Sequence, residues 1–451
     1  MEYLVVTDGK ASKEIVVVGL GYIGLPTAAV FAQHGVKVLG IDVHQSVVDT
    51  INRGEIHIVE PDLDAAVHDA VKNGMLTASL EPRAADAFLI AVPTPFKGHD
   101  HEPDLSYIEA ASRKIASVLK KGDVVILEST SPVGATEKMA DWLAEERPDL
   151  SFPQQAGAAS DIRIAHCPER VLPGKVMKEL ISNDRIVGGM TEPCGRAAKE
   201  LYETFVEGDC ILTNVRAAEM CKLAENAFRD VNIAFANELS LICDKQGIDI
   251  WELIELANRH PRVDILKPGA GVGGHCIAVD PWFIVAGAPA ESRLIRTARE
   301  VNNYKPEWVL EKVAAAAKDA AASKHGAPVT IAALGLAFKP DIDDLRESPA
   351  KRIASILAER SDAPVLVAEP NIEALPEGLD NAELVSLERA LEADVVVVLV
   401  GHREFHRNAG LLARHGAVID AVGVLGGNAL ATPDVRPVDE ERRSEKSAAI
   451  A

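Results

Sequence analysis

Cys276 closes the stretch Pro268-Gly269-Ala270-Gly271-Val272-Gly273-Gly274-His275-Cys276. Four glycines so close together have no place inside a helix or strand, where each carries an entropic penalty. They are expected to let the backbone come close to a ligand. A thiol that follows such a loop can be set among amides that favour the thiolate, which is the reactive form. Cys276 is therefore read as a nucleophile. Cys167, Cys194, Cys210, Cys221 and Cys243 are scattered with no CxxC pair and are read as small buried hydrophobes. His275 and Cys276 are adjacent, a spacing from which two side chains rarely reach one ion, and no second ligand pair stands nearby. No metal is expected.

Lys222 and Asn226 are four apart, so on a helix they share one side. An ammonium in apolar surroundings needs a partner or a task. Either Lys222 pairs with Glu219 or Glu225, or it stabilises an alkoxide or oxyanion as charge develops. A second constellation, Gly19-Leu20-Gly21-Tyr22-Ile23-Gly24, follows an apolar run and opens a helical pattern, the context in which GxGxxG holds a dinucleotide. Gly19 allows the tight turn, Gly21 the approach of the pyrophosphate, and Gly24 the packing of helix on strand. Helix N-terminal amides then hold the phosphates. Asp42 ends the next strand, where a carboxylate binds the adenosine ribose and repels a 2′-phosphate. The following Val43-His44-Gln45 has no arginine to reverse that preference, so NAD is expected rather than NADP. Thr94 in Val92-Pro93-Thr94-Pro95 and Thr130 in Glu128-Ser129-Thr130-Ser131-Pro132 each follow a strand, where loops of this fold face the cofactor.

These residues need a scaffold, and the chain supplies a repeated βα pattern. EIVVVG (14–19), LPTAAVFAQHG and VKVLGID form one βαβ unit. AFLIAV (87–92), DVVILEST (123–130) and IRIAHCPE (162–169) add strands. From 215 to 247 the chain has no proline and a single, closing glycine, which predicts one long helix. Its apolar positions run around much of the circumference, so it is expected to be buried, in part against a second subunit. APVTIAALG, SPAKRIASILAER, PVLVAEP, LERALEA, DVVVVLV and GAVIDAVG then repeat the alternation. The expected class is α/β, with two Rossmann-like doubly wound domains joined by a long central helix and a helical middle domain. The expected boundaries are 12–205 for the NAD-binding domain, 206–310 for the helical, dimerising domain that carries the Cys276 loop, 327–435 for the second α/β domain, and 436–451 for a polar, disordered tail.

Composition narrows the partners. The 451 residues carry a formal charge of −21, which excludes a nucleic-acid binder but permits an anionic ligand held by a few converging cations. The first residues, MEYLVVTDGKASKE, have no basic run before an apolar stretch, so no signal peptide is read there. No apolar run reaches the ~20 residues a bilayer demands. Cytoplasmic residence with reduced thiols is expected.

Across about residues 13–435 the chain resembles the nucleotide-sugar 6-dehydrogenases, most specifically in GVGGHCIAVDPWFIV (271–285), LIRTAREVNNYKP (294–306) and GLAFKPDIDDLRESPA (335–350). Relatives acting on UDP-glucose typically show GFGGSC followed by a Lys-Asp pair. His275 before the cysteine and Ala278-Val279-Asp280-Pro281 after it point to the branch that acts on N-acetylated sugars. The resemblance implies a four-electron oxidation of a UDP-sugar at C6, using two NAD, through a thiohemiacetal and a thioester on Cys276.

By the same resemblance Lys222 and Asn226 stabilise the C6 oxygen, Asp280 handles a proton with an ordered water, and Glu169 stands near the hydrolytic water. Tyr22 and Ile23 of the glycine-rich turn, Thr94, Thr130 and Arg346 fall on the cofactor side, Thr130 at a position that holds either the cofactor or the hydrolytic water. Lys267, Arg170, Gly273 and Lys339 fall on the substrate side. Relatives on UDP-glucose often carry a second glutamate four residues beyond the position of Glu169, where this chain has Pro173. The resemblance inclines to the manno configuration at C2. The gluco epimer and UDP-glucose are the alternatives inside the class. Outside it stand a non-catalytic NAD-binding regulator and a one-step alcohol dehydrogenase. A homodimer or higher homo-oligomer is expected.

Overall fold

The structure is a computed structural model that describes residues 13–98, 101–172, 174–274 and 276–426. His275, Pro173 and the expected tail at 436–451 lie outside the described residues. The described chain divides into two compact units. One runs to Glu225 and takes in Trp282–Ala288; the other comprises Asn226–Pro281 and the chain from Pro289 onward.

The first unit is built on one sheet of eight strands: β1 (Glu14–Val18), β2 (Lys37–Ile41), β3 (Leu76–Ser79), β4 (Ala87–Ile90), β5 (Val124–Leu127), β6 (Arg163–His166), β7 (Arg185–Gly189) and β8 (Cys210–Asn214). Their order is β8-β7-β6-β5-β4-β1-β2-β3, parallel throughout except where β7 runs against β6. Both faces of the sheet are covered, which is why its strands read as continuous apolar runs. Ile15, Val17, Leu89 and Ile126 enter one core and Val16, Val18, Phe88, Ile90 and Leu127 the other, as two-residue alternation requires. Strand order reverses between β1 and β4, so the turns after these two strands flank the crevice where ligands of such sheets bind.

The second unit repeats the arrangement with five parallel strands: β9 (Ile331–Leu334), β10 (Val365–Ala368), β11 (Ala382–Leu384), β12 (Val395–Val398) and β13 (Val418–Asp420), in the order β11-β10-β9-β12-β13. Its first turn copies that of the first unit. Gly335 has φ +92° against +91° at Gly19. The Leu336 amide donates to Glu369 at the end of β10 (2.7 Å), as the Leu20 amide donates to Asp42 at the end of β2 (3.1 Å).

The long helix runs over Val215–Gln246, as the proline-free stretch predicts. It starts in the first unit, where the Glu219 carboxylate accepts the amides of Gly134 (2.7 Å) and Thr136 (2.8 Å) at the start of helix Ala135–Glu146. Within the second unit it carries a polar row that anchors a second long helix, Arg293–Ser323. Asp230 pairs with Arg299 (2.7 Å) and accepts from Asn302 (2.7 Å), all three buried. Asn237 accepts from the Gly269 amide (2.9 Å) and donates to Asn302 (2.8 Å). Lys305 donates to Ser240 (2.5 Å) over the Trp308 ring, and burial pulls its pKa down to about 7. The motif at 294–306 is thus the first half of a 31-residue helix that continues through Pro306.

Burial all round the long helix is not observed. Phe228 is 72 %, Phe235 51 % and Ile242 44 % exposed. Seven residues apart, they form an uncovered stripe in the single chain, because helix Arg293–Ser323 packs against the polar row instead.

Candidate active site

The dinucleotide turn has the geometry its sequence demands. Gly19 is left-handed, and a Cβ there would stand 2.5 Å from the Ala91 carbonyl oxygen. A Cβ at Gly24 would collide with the Gly19 carbonyl. Gly21 is different, with open space where its side chain would be, which is the room a pyrophosphate needs. Tyr22 is half exposed beside it and Ile23 precedes helix Gly24–Gln33 in helical conformation.

Asp42 accepts the Leu20 amide on one oxygen and the His44 amide (3.0 Å) on the other. The carboxylate is therefore fixed at the strand end, with a lone pair on each oxygen left for ribose hydroxyls. Replacing Asp42 by alanine is expected to raise KM for NAD by about tenfold or more and to narrow the preference over NADP, read from initial rates with each cofactor.

The two threonine turns lie on neighbouring strands, β4 and β5, and are tied together. The Ser129 hydroxyl donates to the Val92 carbonyl (2.7 Å). The Thr94 hydroxyl is buried and without a partner among the described residues, a polar group aimed at something the chain does not supply. Thr130 is partly exposed. The open space at Gly21, the fixed Asp42 carboxylate and the orphaned Thr94 hydroxyl fit NAD.

Beyond β5 and β6 lies a buried polar cluster. Glu169 is ion-paired with Arg185 (2.7 Å) and accepts the Arg170 amide (2.8 Å) on its other oxygen. Arg185 also stands 4.0 Å from Glu128, which accepts the Tyr202 hydroxyl (2.6 Å). Cys167 lies against the same guanidinium (3.8 Å), and burial pushes its thiol up to about 12, the inert state expected of it. Arg170, expected at the substrate, is held by Glu225 (2.7 Å). Glu128, Arg185 and Tyr202 were not identified from sequence. They come from three separate elements, and only their positions at strand and helix ends give any linear signal.

Lys222 finds neither expected carboxylate: Glu219 caps a helix and Glu225 takes Arg170. Its ammonium makes no ion pair among the described residues. One turn along, Asn226 donates to Asp280 (2.5 Å). Asp280 is buried in the first turn of helix Asp280–Gly287, and its amide donates to the Cys276 carbonyl (2.8 Å). Three of the expected catalytic residues of the second unit are thus one connected group. Cys276 is exposed, unlike Cys167, Cys194, Cys210 and Cys243.

The glycines before Cys276 also meet a need within the chain. A Cβ at Gly273 would lie 2.5 Å from the Glu347 carbonyl oxygen and 2.7 Å from Pro349; at Gly271, 2.8 Å from Pro349; at Gly274, 3.1 Å from the Phe338 ring. The close approach is to the chain itself, in the segment 338–349. Arg346 lies in that segment and donates to Asp344 (2.6 Å). Lys267 and Lys339 are exposed.

Among the described residues no group of His, Cys, Asp and Glu is arranged to hold a metal, and no helix is long and apolar enough to cross a membrane.

Residues 13–206, 216–304 and 332–427 match, in order, the NAD binding, central and UDP binding domains of the UDP-glucose/GDP-mannose dehydrogenase family. The chain is 64% identical over 414 residues to the UDP-N-acetyl-D-mannosamine dehydrogenase of Escherichia coli (strain K12), covering 91% of this chain and 98% of that protein. It is 60% identical to the NDP-N-acetyl-D-galactosaminuronic acid dehydrogenase of Ralstonia nicotianae, over 93% and 98%. The solved structure of a UDP-D-ManNAc dehydrogenase from Pyrococcus horikoshii superposes with a TM-score of 0.81 at 40% identity, covering 91% of this chain and 96% of that one. A dinucleotide turn, a thiol loop and a second nucleotide-type sheet in this order agree with all three matches: the chain belongs to the UDP-glucose/GDP-mannose dehydrogenase family, whose members are NAD-dependent.

Proposed function

We propose that the protein oxidises the C6 hydroxyl of UDP-N-acetyl-D-mannosamine to the uronate in two steps, through a covalent adduct on Cys276. The observation that carries the mechanism is the connected group of Cys276, Asp280 and Asn226, with Cys276 exposed in the turn that leads into helix Asp280–Gly287. The names of the mannosamine-type relatives and the motif around Cys276 support the sugar.

NAD, when bound, accepts a hydride in each of the two oxidations. The thiolate of Cys276 adds to the carbon of the C6 aldehyde, which becomes a thiohemiacetal. Lys222 and Asn226 hold the C6 oxygen as charge develops on it, and Asp280 takes up its proton through a water. Loss of the hydride from the thiohemiacetal carbon and of the proton from its oxygen leaves a thioester, and Glu169 then removes a proton from the water that attacks it. The hydroxyl bonds the carbonyl carbon, the carbon–sulfur bond breaks, and sulfur leaves as thiolate. Thr94, Thr130 and Arg346 belong to the cofactor side of this reading. Lys267, Arg170, Gly273 and Lys339 belong to the substrate side. The division at 12–205, 206–310 and 327–435 and residence in the cytoplasm complete it.

Turnover of UDP-N-acetylmannosamine, its gluco epimer and the galacto sugar tests the assignment. A preference of about tenfold or more for the manno sugar is expected, with two NADH per uronate. Faster turnover of either epimer removes the substrate assignment; one NADH per sugar removes the thioester.

The exposed stripe Phe228, Phe235 and Ile242 supports a homo-oligomer built on the long helix. Replacing Phe228 and Phe235 together by aspartate is expected to give a monomer in sedimentation velocity, whereas the unaltered protein sediments as a dimer or larger.

A further inference from the structure

Two buried carboxylates, Glu128 and Glu169, share one guanidinium. Arg185 is 4 %, Glu169 7 % and Glu128 1 % exposed. Arg185 gives its short contact to Glu169, and its other terminal nitrogen stands 4.0 Å from Glu128. Tyr202, whose ring lies 4.6 Å under the same guanidinium, donates to one Glu128 oxygen. The other Glu128 oxygen is buried with no partner among the described residues. If both carboxyls ionise, the cluster carries a net negative charge in buried surroundings, a costly state. The geometry decides which carboxyl keeps a proton. Glu169 has the 2.7 Å ion pair and a backbone amide, whereas Glu128 has the long contact and the orphaned oxygen.

We propose that Glu128 is a positioning residue for the hydrolytic half of the reaction, setting how firmly the arginine they share holds the Glu169 carboxylate. This rests on the reading of Glu169 as the base for thioester hydrolysis. While Glu128 is neutral, Arg185 is drawn to Glu169 alone and holds its carboxylate in the 2.7 Å pair. Once Glu128 ionises, it competes for the same guanidinium and loosens that pair, so the Glu169 oxygen is freed to meet the attacking water. Burial holds the Glu128 carboxyl up at about 7 against the pull of Arg185, with Glu169 adding to the rise. The other titratable groups facing Glu128 do not compete: the Cys167 thiol is pushed up to about 12 and the Tyr202 hydroxyl well above its ordinary value, both by burial. His166 of β6 faces the opposite side of the sheet and is held neutral by burial, at about 3.

The test is rapid-quench measurement of thioester formation and hydrolysis by the full-length protein, from about pH 6 to pH 9. Hydrolysis by the unaltered enzyme is expected to rise roughly tenfold through a midpoint near 7. Glu128→Gln, which retains an acceptor for Tyr202, is expected to lose that rise and stay at the low-pH rate. Glu128→Asp is expected to restore the rise with a displaced midpoint, and it carries the test if the glutamine variant does not fold. A Glu128→Gln enzyme that keeps the unaltered pH profile, an aspartate variant with an undisplaced midpoint, or an equal loss in the first oxidation overturns the proposal. Glu169→Gln separates the two claims: if it hydrolyses the thioester at the full rate, the base was misassigned and the role of Glu128 falls with it. If Glu169→Gln stalls at the thioester while Glu128→Gln behaves as unaltered enzyme, only the role of Glu128 falls.

Discussion

Replacing Cys276 by alanine is expected to lower uronate formation by roughly three orders of magnitude or more. In the proposed route the first oxidation needs no nucleophile, since Lys222 and Asn226 would act on the sugar oxygen itself. The second needs a tetrahedral carbon from which a hydride can leave, and the Cys276 sulfur makes one. The stoichiometry should accordingly fall from two NADH per sugar to one, with the aldehyde as product, detectable by trapping with a hydrazine. Alanine removes little volume at an exposed position, so the melting temperature should be nearly unchanged. An alanine variant that still yields two NADH per sugar would refute the covalent route and leave the exposed thiol without a chemical task.

The largest effect on stability is expected at Asp230. Its carboxylate is fully buried, pairs with Arg299 and accepts from Asn302. Arg299 is itself buried, and alanine at 230 leaves its guanidinium with no counter-charge. Breaking a buried pair from one side costs about 3–5 kcal/mol, read as a lower midpoint in chemical denaturation. Replacing Asp230 by leucine and Arg299 by methionine together should recover most of the loss, because no charge is then stranded. A single alanine variant that melts with the unaltered protein would show the pair to be solvated in solution. Activity should suffer as well. Asn302 links Asp230 to Asn237, which holds the Gly269 amide at the root of the Cys276 loop.

Much of this was legible in one dimension because the relevant physics is local. A parallel sheet covered on both faces forces apolar strands, so EIVVV and VVVV announce themselves. The turn after β1 needs glycine at fixed offsets, and Asp42 must end the next strand to receive its amide. The long helix was visible because nothing in thirty-two residues interrupts it.

What was not legible depends on elements far apart in sequence. The glycines before Cys276 suggested a ligand, but composition alone could not show that backbone also comes close to another part of the chain. The segment holding Phe338, Glu347 and Pro349 lies more than sixty residues away. Glu128 and Arg185 are single charges at strand ends, and only the antiparallel course of β7 beside β6 brings them to one point. The exposed stripe on the long helix was hidden for a similar reason. Periodicity gives the apolar positions, but only the placement of the polar row against helix Arg293–Ser323 shows which of them stay uncovered.

The fit between the glycine loop and the segment 338–349 bears on how such enzymes can be recombined. A loop with no side chains to spare moulds itself to one particular neighbour, here the Phe338 ring, the Glu347 carbonyl and the Pro349 ring. Grafting the C-terminal sheet of a relative onto this chain at a crossover near the end of helix Arg293–Ser323 would cut between two surfaces shaped for each other. The thiol would be displaced even though every catalytic residue was retained. Productive chimeras should instead exchange the loop and its counterpart segment as a single cassette.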